Sequence, residues 1–175
     1  MDAGESWRRL RMNKALEKAR ELLAERTPLK TDCGKVCGAR CCRSMEGEET
    51  GMLLFPGEEA LYREQDGWTL RETSAGWLAI CPGRCRRDER PLACRIFPLL
   101  PVIRNGQVKV ASDQRAKAVC PLLRQGIRGM DPDFTDAVRE AGRILAEEPE
   151  SREFLVRMTE EQDEIKALRD KLGGL

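Results

Sequence analysis

Four of the chain's eight cysteines fall within ten residues, in the stretch CGKVCGARCC from Cys33 to Cys42, and the others follow as Cys81, Cys85, Cys94 and Cys120. Thiols at this density are suited to metal ligation. The chain contains no histidine. That absence excludes Ser/His/Asp and Cys/His catalysis, mixed cysteine-histidine zinc sites, histidine-held haem and Rieske centres. A metal here would be held mainly by thiolate, which selects zinc, cuprous copper or an iron-sulfur cluster.

Spacing leaves two arrangements open. Zinc takes pairs of cysteines two to four residues apart, and Cys33 with Cys37 and Cys81 with Cys85 fit that outline. Iron-sulfur proteins often combine three closely spaced cysteines with a remote one, and Cys33, Cys37 and either Cys41 or Cys42 fit that instead. All eight cysteines are candidate metal ligands. An iron-sulfur cluster is the first choice and zinc the second. In a helix or a strand adjacent side chains diverge, so Cys41 and Cys42 are expected to serve two sites or to include one bystander.

Four thiolates around zinc or an oxidised four-iron core carry a net double negative charge. Arg84, Arg86, Arg87, Arg90 and Arg95 surround the second cysteine group, and Lys35, Arg40 and Arg43 the first. Basic residues therefore stand where such a group needs them.

The rest of the composition narrows the setting. Thirty-one basic and thirty acidic residues give a net charge of +1, with no electrostatic footprint for nucleic acid or a membrane surface. The N-terminus MDAGESWRRLRMNKALEKAR has no apolar secretory core, and no run reaches the ~20 apolar residues of a membrane span. A cytoplasmic, soluble protein is expected, with neither partner. In a reducing cytosol an even number of cysteines reads as metal ligation rather than disulfides. The 175 residues fit a single domain burying roughly 70% of its unfolded surface. With eight aromatics (three Trp, one Tyr, four Phe) and 35% charged residues, a thin core is expected, one that a metal centre would help to hold.

Apolar residues at helical spacing predict an amphipathic helix over residues 5–26, stopped near Thr27 and Pro28. The cysteine-rich region, residues 33–120, should contain a loop from Gly47 to Gly51, short strands at Met52–Phe55, Trp68–Leu70 and Gly76–Ile80, and a helical segment at Gly57–Glu64. Pro91 and Pro98 bracket a helix of about two turns carrying Cys94. Asn105 and Gly106 between alternating apolar residues predict a hairpin. Residues 131–172 read as a helical pair: one helix from Pro132 capped by Asp131, the other from about Pro149 to Lys171. The near-heptad apolar seam of the last helix also suits a protein partner. The fold class is α+β: a small cysteine-rich, metal-bound centre with short strands, flanked by amphipathic helices at both termini.

Arg90, Pro91, Cys94, Arg95, Phe97 and Pro98, read as RPLACRIFP, match every fixed position of the RPxxCRxFP element of the YkgJ-like proteins. Cys81 and Cys85 upstream and Cys120 downstream stand as that family would have them. The chain thus resembles these CxxCxxCC zinc- or iron-chelating domains over roughly residues 33–120. The first cluster departs from their pattern: here it is CxxxCxxxCC, one residue longer in each gap. The resemblance implies metal binding. A related cysteine pattern in flagellin lysine-N-methylases, which look like iron-sulfur proteins using S-adenosylmethionine, implies a modifying activity. The chain has no glycine-rich Rossmann fingerprint, no CxxxCxxC spacing and no repeated βα units to support it.

Three functions follow. The first is a metal-binding protein holding an iron-sulfur cluster with a structural, redox or small-ligand role. The second is an interaction domain built on all-cysteine zinc sites. The third is a cluster-dependent modifying enzyme whose acid-base groups would be carboxylates or lysine.

Overall fold

A computed structural model describes residues 12–43, 51–83 and 85–173. Residues 47–50 of the expected loop, the first residues of the expected N-terminal helix, and Arg84 lie outside these, while Gly51, expected to end that loop, belongs to the first strand. The order of elements is α1 (Lys14–Leu22), α2 (Cys33–Cys37), β1 (Gly51–Leu53), β2 (Thr69–Thr73), β3 (Gly76–Ile80), α3 (Leu92–Ile96), β4 (Leu99–Arg104), β5 (Gln107–Ser112), α4 (Pro132–Ala146) and α5 (Pro149–Lys171). Helices with two small antiparallel sheets make the fold α+β. One sheet runs β1-β3-β2, and the other is the β4-β5 hairpin.

Local chemistry accounts for the boundaries. α1 starts later than its periodicity implies, because the Asn13 side chain accepts the Leu16 N–H at 2.7 Å and caps the helix there. It also ends earlier, at Leu22 rather than Arg26: the Arg87 guanidinium binds the carbonyls of Ala24 and Arg26, both at 2.5 Å, and holds that chain outside the helix. Asn105 and Gly106 take positive φ of 52° and 74°, the pair of left-handed residues that closes a two-residue hairpin turn, here in register Arg104 to Gln107. Asp131 accepts the Asp133 N–H at 2.9 Å and opens α4, with Pro132 in its first turn. The segment expected as a helix at Gly57–Glu64 is a 3-10 turn over Glu58–Leu61, and the Cys94 helix is five residues long rather than two turns.

One apolar core runs through α1 (Leu16, Ala19), α3 (Leu92, Ile96), β4 (Leu99, Val102), α4 (Phe134, Val138, Ala141) and α5 (Phe154, Leu155, Met158). A smaller cluster of Leu54, Tyr62 and Ala79 lies under the three-stranded sheet. The core is more substantial than the composition implies, because aliphatic residues from both ends of the chain meet in it. None of the eight cysteines is among its residues, although α3, which carries Cys94, packs into it through Leu92 and Ile96.

Gly142 shows how tightly α4 lies on the hairpin. A Cβ there would meet Pro101 Cβ at 2.5 Å and Val108 Cγ1 at 2.9 Å, so the helix tolerates a residue that costs about 1 kcal/mol of propensity. Gly142→Ala is expected to destabilise the protein by about 1–3 kcal/mol through overpacking, read as a lower urea midpoint. A variant as stable as the parent would show that helix and hairpin separate freely.

Candidate metal centre

Each cysteine is placed by an element with an identifiable local cause. Asp32 caps α2 by accepting the Gly34 N–H at 3.0 Å, and the single helical turn puts Cys33 and Cys37 on one face. Gly38 and Ala39 then take left-handed φ of 65° and 54° and turn the chain into the 3-10 turn Arg40–Cys42 that carries Cys41 and Cys42. The helical face therefore carries Cys33 and Cys37, and the chain leaves the helix at Gly38 before Cys41. Cys81 follows the end of β3, and Cys85 lies beyond Pro82 and Gly83 in the loop before α3, which bears Cys94. Cys120 opens the 3-10 turn Pro121–Gln125, where the Leu123 N–H donates to its carbonyl at 3.3 Å. Burial pushes the Cys120 thiol up, and the Leu122 and Leu123 amides near its sulfur act against that.

The eight cysteines are all free and half-buried, and their thiols influence one another across segments far apart in sequence. Burial first and then Asp32, Cys37 and Cys120 push the Cys33 thiol up. Burial followed by the charges of Cys42, Cys85, Glu58 and Cys81 pushes Cys94 up. Cys85 is raised to about 11 by burial and by Cys81. Two groups emerge: Cys33, Cys37 and Cys120 in one, and Cys42, Cys81, Cys85 and Cys94 in the other. Cys41 stands between them, feeling Cys42, Cys33 and Cys94.

The divergence expected of Cys41 and Cys42 does not occur. Their Sγ atoms are 3.9 Å apart, because the pair sits in a 3-10 turn that follows two left-handed residues, in neither helix nor strand. The two thiols share one hydrogen bond, which lowers one thiol of the pair to about 6, helped by Arg90 and opposed by burial and Asp32, while the other is raised. In metal-free protein, alkylation of this pair by iodoacetamide should therefore fall off below about pH 6 instead of below the ordinary 9. Arg90→Gln should move the inflection upward. Mass spectrometry of the alkylated peptide across pH checks it, and an inflection near 9 would contradict the shared proton.

The arginines divide by task. Arg86 pairs with Asp88 at 2.6 Å on the surface. Arg87 caps α1. Arg95 is buried and donates to the carbonyls of Arg20 (2.9 Å), Arg90 (3.0 Å) and Asp88 (2.7 Å). Arg87 and Arg95 serve the backbone and Arg86 a surface carboxylate, contrary to the expectation that they surround the thiols as counter-charge. Arg90 is the exception. Its guanidinium donates to Cys85, is felt by Cys33 and Cys42, and lies near Asp32. Its buried Nε has no hydrogen-bond partner among the described residues.

Beneath the loop from Cys85 to Cys94 lies a buried charge pair that sequence reasoning missed. Glu58, 0% exposed, accepts from Arg20 Nη1, from the Leu92 N–H at 2.7 Å and from the Phe55 N–H at 3.4 Å. Arg20 also donates to the Arg90 carbonyl at 3.1 Å, and Tyr62 donates to the Glu89 carbonyl at 2.7 Å. Burial pushes the Glu58 carboxyl up, against Arg20 and the two amides. On the opposite side, Gln162 accepts the Gln114 N–H at 2.6 Å and Arg169 binds the Gln114 side chain and carbonyl, both at 2.9 Å, so α5 holds the turn that leads to Cys120.

Among the described residues, no three Cys, Asp or Glu side chains are gathered closely enough to grip a metal ion as they stand. What the arrangement offers is a set of half-buried thiols whose thiolates would repel one another, and beside them an arginine with a buried, unpartnered Nε. Chemically this fits an anionic metal-thiolate group, whose metal would have to draw the sulfurs together as their protons leave. No described helix is long and apolar enough to cross a membrane. Comparison of the chain with family models, with curated proteins and with solved structures returns no match, so the thiols and the residues that position them are the ground on which a function is argued.

Proposed function

We propose that this protein holds an iron-sulfur cluster through cysteine thiolates, with a structural, redox or small-ligand role. The observation that carries the reading is Arg90: a half-buried arginine whose buried Nε has no partner among the described residues and whose charge is felt by Cys33, Cys42 and Cys85. Isolated neutral thiols have no need of such a cation. Thiolates around a cluster do, because they carry net negative charge that hydrogen bonds to sulfur relieve. Cys42, Cys81, Cys85 and Cys94 form the four-thiolate set that Arg90 and the Glu58 network support, while Cys33, Cys37 and Cys120 with Cys41 supply a second. A cluster places its thiolates on separate irons. A single zinc draws its sulfurs to about 3.8 Å from one another, as tetrahedral geometry with a 2.3 Å bond requires, and is the more demanding fit. When bound, the cluster would supply electron transfer or an open iron for a ligand. Kinship with the YkgJ-like proteins belongs to the same proposal.

Anaerobically purified protein should be brown, absorb broadly in the violet and bleach with dithionite. Colourless protein with stoichiometric zinc would replace this reading with the second one, an interaction domain on all-cysteine zinc sites. That alternative draws on the last turns of α5, where Leu168 and Leu172 are 60% and 63% exposed and available to a protein partner.

A further inference from the structure

Two concavities of about 270 and 360 Å³ open side by side where α2 meets the turn Pro121–Gln125. The smaller is bordered by Arg40, Lys117, Cys120, Leu123 and Arg124, among others, and the larger by Val36, Cys37, Arg40, Pro121 and Arg124. Arg40 and Arg124 belong to both, so the two make one groove. It has three cationic side chains, apolar walls, and two candidate ligand cysteines, Cys37 and Cys120, along it.

The charge in this groove is unbalanced. No carboxylate lines either part. The ion pairs among the described residues involve none of Arg40, Lys117 and Arg124. Asp170 feels Lys117, but its carboxylate is held by Lys166. Three cations with no carboxylate among the lining residues thus share one groove in a chain whose net charge is +1. Like charges at close quarters repel, and an anion between them removes that cost.

We infer that this groove binds a small, multiply charged oxyanion, a molecule bearing phosphate or carboxylate groups, and holds it against the cysteine centre. Guanidinium forks match the paired oxygens of either group, and Lys117 adds a point charge. The volume is that of a small-molecule site. Val36, 62% exposed, with Pro121 and Leu123, provides apolar contact for a carbon skeleton. The inference stands on the cations and the groove, independently of the metal reading. A competing role for the same residues is to offset the charge of a metal-thiolate group, and the experiment separates the two.

Isothermal titration of the purified full-length chain uses pyrophosphate as the phosphate probe and citrate as the carboxylate probe, with metal content measured on every sample. At least one probe is expected to bind saturably at about 0.15 M salt, and the tighter of the two identifies the headgroup. Arg40→Gln with Arg124→Gln should weaken that binding roughly tenfold per arginine with metal content unchanged. Because Arg40 adjoins Cys41, a second variant, Lys117→Gln with Arg124→Gln, leaves that turn intact and should weaken binding similarly. Failure of both probes to saturate, undiminished affinity in both variants, or loss of metal in step with loss of binding overturns the inference. If the parent protein holds no metal but binds a probe through these residues, the metal reading falls and this one stands.

Discussion

Cys94→Ser is expected to remove most of the bound metal and to loosen residues 28–43 and 81–90, while α4 and α5 keep their protection. Cys94 is the thiol on which the second group converges, the one that feels Cys42, Cys85 and Cys81 together. It also sits on α3 between Leu92 and Ile96, both buried in the main core, so its position is fixed by packing whether or not metal is present. Serine preserves that packing and removes the soft donor. A structural four-ligand site contributes about 10–16 kcal/mol of apparent binding energy, so one thiolate accounts for roughly 3 kcal/mol or more. That loss falls on the segments the metal joins, because no cysteine lies in the main core. Metal analysis with hydrogen exchange measured peptide by peptide reads both halves of the expectation. Full metal retention would remove Cys94 from the ligand set, and uniform loss of protection in α4 and α5 would show that the core depends on the metal after all.

The sequence exposed the parts of this arrangement that rest on local chemistry. The hairpin followed from Asn105 and Gly106, α4 from Asp131 and Pro132, and the candidate ligands from cysteine density. What stayed hidden depends on contacts between distant segments. Glu58 and Glu59 are indistinguishable as letters, yet Glu58 alone is enclosed by Arg20, Leu92 and Phe55, separated from it by as many as 38 residues. Arg86, Arg87, Arg90 and Arg95 are equally basic neighbours in sequence, but backbone direction sends one to the thiols and the others to carbonyls or a surface carboxylate. The Cys41–Cys42 contact was missed because adjacent residues were read through helix and strand alone, while left-handed Gly38 and Ala39 set up a turn of another kind.

Glu58→Ala should cost about 3–5 kcal/mol, the largest effect expected of any substitution away from the cysteines. The change leaves the Arg20 guanidinium, whose side chain is 10% exposed, without its counter-charge, and strips the Leu92 and Phe55 N–H groups of their acceptor. Glu58→Gln keeps an acceptor for Leu92 and should cost less. Replacing both partners, Arg20→Met with Glu58→Leu, removes the uncompensated charge, so the pair should be destabilised by clearly less than the two single changes together. Chemical denaturation of the four proteins gives the coupling energy directly. The consequence reaches the thiols through geometry: Arg20 and Arg95 grip the Arg90 and Asp88 carbonyls, and the Leu92 amide held by Glu58 begins the helix that carries Cys94. A slackened grip lets Arg90 and Cys94 move independently, so Glu58→Ala should also lose metal faster to a chelator than the parent does. A cost below about 1 kcal/mol together with unchanged chelator kinetics would mean that this buried pair neither stabilises the fold nor positions the loop between Cys85 and Cys94.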